Sequence, residues 1–129
     1  MNVVIHCGVG IDRYRYDGIP VVDLPISEVD VPDPAHLQRS LRYPGAMDLE
    51  PEAAIEAALD PDALIARDPR SRTGEAIRVV GYSPLARRVL VIVLLPHEHP
   101  PGGRWHVATA WPASRSLRDA YAKDEEELE

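Results

Sequence analysis

The chain is 129 residues long, carries a formal net charge of −7 and has one cysteine. That length suits a single domain able to bury its own core. Cys7 alone excludes an internal disulfide, and the acidic balance argues against nucleic-acid binding through bulk charge. In chain order, residues 1–32 read as an extended segment. Strands are expected over 3–5 and 19–24, and Pro20, Pro25, Pro32 and Pro34 exclude a long helix. Asp33 can N-cap a short helix with Pro34 at its first position, closed by Tyr43-Pro44-Gly45. A second short helix opens at Pro51, with acids at its start and alanines through its body. Residues 60–69 lie between Asp60-Pro61 and Asp68-Pro69 and read as a capped turn followed by a stop.

From residue 76 the pattern changes to strands. Residues 76–83 alternate in part, and 87–96 are nearly all apolar, as in a central strand covered on both faces. Residues 104–111 set Trp105, Val107, Thr109 and Trp111 against Arg104, His106 and Ala108. His97, Glu98 and His99 fall in the intervening loop; without further ligand spacing they read as solvated rather than as a metal site. Residues 114–129 read as a terminal helix, with an acidic tail over 123–129. The order implies an α+β domain: an N-terminal extended segment, two short helices, a three-stranded antiparallel meander and a C-terminal helix. The apolar run 89–95 is too short to span a bilayer, and the N-terminus lacks the order of a secretory signal, so a cytoplasmic location is expected.

Charge is unevenly spread. Acids predominate over 1–62 and 119–129, whereas 63–118 hold nine arginines against Asp68, Glu75 and Glu98. Every basic residue except Lys123 is arginine, whose planar fork pairs with phosphate through two hydrogen bonds. The alternative is a solvated charged face. Near the N-terminus, His6, Cys7, Gly10 and Arg13 match the HCxxGxxR pattern of cysteine phosphatases. There the thiolate attacks phosphorus and the arginine clamps two oxygens. Tyr14 stands where that pattern has Ser or Thr, and no helix can follow through "YRYDGIPVVDLP". A strand end with a glycine turn is the plainer reading.

Three stretches within 33–122 carry a second resemblance: "DPAHLQRSLRYPGAMDLEPEAAIEAALDP", "DPRSRTGEAIRVVGYSPLARRVLVIVLL" and "RWHVATAWPASRSLRDAY". In order and spacing they resemble the BrnT family, toxins of bacterial type II toxin–antitoxin pairs. Tyr43-Pro44-Gly45 stands where the family has Lys-His-Gly, and Trp111 where it has an arginine. The resemblance implies a RelE-like fold and an endoribonuclease that needs no metal or cofactor. In such cleavage the ribose 2′-OH attacks the adjacent phosphate, helped by a base, an acid and cations on the phosphate. By motif position the catalytic candidates are Glu75, Arg78, Arg115 and Tyr121. His106 joins them as a group that titrates near working pH. Arg70, Arg72, Arg87, Arg88 and Arg118 are candidate RNA contacts, and Trp111 can stack a base. The implied partners are RNA and a small DNA-binding antitoxin, as a homodimer or a hetero-oligomer with that antitoxin. A non-catalytic relative that works only within such a complex is the alternative. Convergence of the arginines on one concave face distinguishes the nuclease from it.

Overall fold

The computed structural model describes residues 15–128, with side chains through residue 123. The strand expected over 3–5 and the His6-Cys7-Gly10-Arg13 loop lie outside the described residues. In chain order the elements are β1 (Arg15–Tyr16), β2 (Ile19–Pro20), β3 (Glu28–Asp30), α1 (Pro51–Ala58), β4 (Leu64–Arg67), β5 (Ile77–Ser83), β6 (Arg88–Pro96), β7 (Arg104–Pro112) and α2 (Arg115–Leu128). Single 3-10 turns occupy Val21–Asp23, Pro34–Leu37 and Arg39–Leu41.

The sheet grows outward from β6, whose β-branched and leucine residues are buried on both faces from Leu90 to Leu94. Its strand order is β3-β7-β6-β5-β4; β3 runs parallel to β7 and the other pairs are antiparallel. The three-stranded antiparallel meander expected from the sequence is therefore corrected to a five-stranded mixed sheet, with β1 and β2 as a separate two-stranded sheet. The RelE-like arrangement implied by the BrnT resemblance is set aside with it, while the α+β class fits. The two added strands are the reason. β3 has three residues and lies between Pro25 and Pro32, too short for a period to register. β4 lies between two Asp-Pro pairs, where turn signals outweigh a four-residue strand. The first expected helix is also corrected: Asp33 does cap it, accepting from the Ala35 amide at 3.2 Å, but the segment forms two 3-10 turns.

One face of the sheet holds the larger core. Ile77, Val79, Leu90, Ile92, Leu94, Trp105 and Val107 pack there with Leu37 and the alanines of α1. Small residues let α1 come close. A Cβ on Gly81 would lie 2.0 Å from the Ala57 carbonyl oxygen, so only glycine permits this helix–strand approach. Trp105 is fully buried, and its indole N–H donates to the Pro25 carbonyl at 2.7 Å, which ties the N-terminal segment to the sheet. The β1–β2 turn, Asp17-Gly18, has positive φ at both positions (50° and 79°), as a two-residue hairpin of matching twist requires. Tyr16, buried beside it, donates to the Glu75 carbonyl at 2.6 Å. Burial, then the charges of Asp17 and Glu75, push its pKa up to about 12, so it stays a neutral donor.

The opposite face is covered unevenly. α2 lays Leu117 and Tyr121 over Val80, Val91 and Ala113. The rest of this face is open, and the cleft described next lies there.

Candidate functional site

The cleft has a volume of about 690 Å³. Its floor is a cross-strand row: Arg78 of β5 pairs with Val93 of β6, and Val93 pairs with Thr109 of β7. Register partners share a face, so the three side chains emerge together, with Trp111 two residues further along β7. One wall is the 3-10 segment carrying His36, Arg39, Arg42 and Tyr43; the other is the loop with Asp68 and Arg70. Four arginines thus face one carboxylate, in a chain that is acidic overall.

Local hydrogen bonds hold the walls in place. The Ser40 amide and hydroxyl both donate to Asp48 at 2.8 Å. The His36 Nδ1 lies 3.1 Å from the Ala108 carbonyl oxygen, and its Nε2 lies 3.2 Å from an Asp33 carboxylate oxygen. Arg39 donates to the Thr109 hydroxyl at 3.2 Å, and that hydroxyl donates to the His36 carbonyl at 3.4 Å. These bonds also occupy the part of the β7 edge that the short β3 leaves unpaired. On the other side Asp68 Oδ1 accepts from the Arg70 amide at 3.0 Å and from Arg78 Nε at 3.1 Å. This carboxylate is only 10 % exposed, so it fixes Arg78 instead of competing for a ligand in solvent.

Trp111 lies within reach of two guanidinium groups and also packs against the cluster of Val80, Val91 and Ala113. Arg39 is 5.1 Å and Arg78 5.3 Å from its ring centroid. Arg39 is also 4.9 Å and Arg42 5.6 Å from the Tyr43 ring. Each pair is within cation–π range. The arrangement sets partly exposed aromatic rings beside positive charge that an anionic chain can meet.

Of the residues singled out from the sequence, Arg70, Arg78 and Trp111 line this cleft. Glu75 does not: it accepts from His99 at 2.8 Å in an ion pair beside the turn of the β1–β2 hairpin. His106 lies away from the cleft, its ring 5.2 Å from that of His97. Tyr121 is buried with Val80 and Val91 on the face opposite α1, and its hydroxyl donates to Asp60 Oδ2 at 2.5 Å. Arg118 reaches back to the Ala113 carbonyl at 3.2 Å, capping the turn before α2. Arg72, Arg87, Arg88 and Arg115 are exposed and none lines the cleft; Arg87 occupies the β5–β6 turn with φ of 58°. Sequence reasoning missed His36, Arg39 and Arg42 as site residues. The signal available was the spacing His36, Arg39, Arg42, which in a chain of three-residue turns brings the three to one side.

A second recess of about 650 Å³ lies between the end of α1 and the β5–β6 turn, lined by Glu56, Asp60, Asp62, Tyr82 and Tyr121 among others. Two of its three carboxylates, Glu56 and Asp60, are already engaged. Glu56 accepts from Ser83 and the Leu85 amide, and Asp60 from the Tyr82 and Asp62 amides. The arginine cleft is thus the better candidate site. Compared with protein-family models, curated proteins and solved structures, the chain matches none.

Proposed function

We propose that the protein is an endoribonuclease that binds single-stranded RNA in the arginine cleft and cleaves it without a metal. The observation that carries this reading is Trp111 beside both Arg39 and Arg78 in a cleft with four arginines. In such a reaction the 2′-oxygen loses its proton and bonds to phosphorus. The bond to the 5′-oxygen breaks, that oxygen takes up a proton, and a 2′,3′-cyclic phosphate and a 5′-hydroxyl result. Arg78, held by Asp68, and Arg39, held by Thr109, suit the charge that gathers on the phosphate oxygens. His36 on the rim suits the movement of a proton. Trp111 and Tyr43 suit the flanking bases. The resemblance to BrnT toxins adds the biological setting: a cytoplasmic toxin restrained by a small DNA-binding antitoxin. No helix of the described residues is long and apolar enough to cross a membrane.

The test is cleavage of a short synthetic RNA in EDTA, with the product ends identified by mass. Wild type yields 2′,3′-cyclic phosphate ends, and Arg78→Ala lowers the rate by about a hundredfold or more, as loss of a donor to a developing oxyanion does. RNA left intact and unbound by the wild type would sink the reading.

A second reading, a non-catalytic module acting within a toxin-like complex, has its own support: Arg72, Arg87, Arg88, Arg115 and Arg118 do not converge on the cleft. Leu41 (79 % exposed), Tyr43 (46 %) and Met47 (39 %) present apolar surface on and beside the cleft wall. A partner could cover it. Tight RNA binding without cleavage, or growth unaffected by expression in a bacterial host, favours that module.

A further inference from the structure

The sheet brings three metal-binding side chains together at the end remote from α2. Asp30 closes β3, and its parallel register partner on β7 is His106. His106 is also the register partner of Leu95 on β6. His97 lies two residues beyond Leu95, and its amide continues the ladder by donating to the Arg104 carbonyl at 3.0 Å. Residues two apart along a strand share a face, as do register partners. Asp30, His97 and His106 therefore meet on one face, although 67 residues separate Asp30 from His97 in the chain.

Their donor atoms all lie within 4.8 Å of one another, with His97 Nε2 3.3 Å from Asp30 Oδ1. Donors that share an ion at about 2.1 Å each lie within about 4.2 Å of one another. The remaining adjustment falls on side chains free to make it: those of His97 and Asp30 are 32 % and 59 % exposed. The neighbouring groups do not compete. Glu98 is held by Arg104 at 3.0 Å, and His99 has both ring nitrogens engaged, by Asp17 and Glu75.

We infer that Asp30, His97 and His106 form a binding site for a divalent transition-metal ion, zinc or a metal of similar preference. Two imidazoles and one carboxylate select such ions over calcium or magnesium, which take all-oxygen shells. Three protein ligands on an accessible edge leave the remaining positions to water. The ion would join the end of β3 to the β6–β7 hairpin, reinforcing a parallel pairing of only three residues. It lies outside the arginine cleft and takes no part in the cleavage proposed there.

The experiment uses the full chain without an affinity tag, stripped with EDTA and exchanged into chelator-free buffer. Zinc is titrated calorimetrically, and cobalt is added separately for its visible absorption. One zinc per chain is expected, with a rise in melting temperature. Asp30→Ala, His97→Ala and His106→Ala should each weaken binding by about tenfold or more. His106→Gln guards against a folding defect, since it keeps the side-chain bulk but cannot reproduce imidazole ligation. His99→Ala and Cys7→Ser should bind as wild type does. No binding at about millimolar zinc, binding unchanged by the three ligand substitutions, or binding lost only in Cys7→Ser would each overturn the site and leave His97–Asp30 a surface ion pair.

Discussion

Trp111 shows how one residue can change role with its surroundings. Alone on an alternating strand it reads as a base-stacking or core residue; here it is half-buried beside Arg39 and Arg78. Stacking on an aromatic ring contributes about 1–3 kcal/mol per base. Trp111→Ala should therefore weaken binding of a short single-stranded RNA by at least about fivefold in fluorescence anisotropy, while Trp111→Phe keeps most of the affinity. Tyr121 gives the opposite case. Its hydroxyl donates to Asp60, which also accepts from the Tyr82 amide, so it ties α2 to the loop after α1 and to β5. Tyr121→Phe should lower unfolding free energy by about 1.5–3 kcal/mol in urea titrations and leave RNA cleavage unchanged. A large loss of cleavage at unchanged stability would return Tyr121 to the catalytic set. Gly81 is fixed by backbone: its added Cβ would meet the Ala57 carbonyl, which cannot rotate away as a side chain can. Gly81→Ala should cost about 3 kcal/mol, the upper end of ordinary overpacking, read from the same titrations.

Among the elements, the β1–β2 hairpin is held by contacts that depend on pH. His99 lies between Asp17 (3.3 Å) and Glu75 (2.8 Å), joining the hairpin, the loop before β5 and the β6–β7 loop. The hydrogen bonds to Asp17 and then Glu75 raise its pKa above the usual 6.5. A raised folded pKa means that protonation favours the fold. The contribution is complete below about 6.5, while the carboxylates remain ionised, and is lost as pH rises through the folded value. The urea midpoint of wild type should exceed that of His99→Gln at pH 6, and the gap should close toward pH 9. A gap that widens with pH would mean that the triad is not an ion pair in solution. Fully exposed charges are well screened, so the effect should be small and should shrink with salt.

At the scale of the molecule, an acidic chain presents a basic cleft because folding sorts its charges in space. Cation contacts to phosphate release counterions. If all four cleft arginines engage single-stranded RNA, log K should fall against log salt with a slope of about −3. A slope near zero would mean that the arginines serve the protein's own packing.

Strand periodicity made β5, β6 and β7 legible, because their alternating or wholly apolar runs reflect two buried faces directly. The proline and alanine signals likewise located α1. Arg70, Arg78 and Trp111, singled out by motif position in the arginine-rich half, all line the cleft, whereas Arg72, Arg87 and Arg88 do not. The composition and local pattern of this chain thus determined an α+β domain with a central apolar strand and an arginine-rich second half. Only the tertiary structure decided that β3 and β4 extend the sheet, since three- and four-residue strands owe their pairing to neighbours distant in the chain. It alone decided that Arg39 joins Arg78 beside Trp111, that Glu75 pairs with His99, and that Asp30 meets His97 and His106. The reason is that these contacts are set by strand register, and register is fixed by which distant residues must share one buried face.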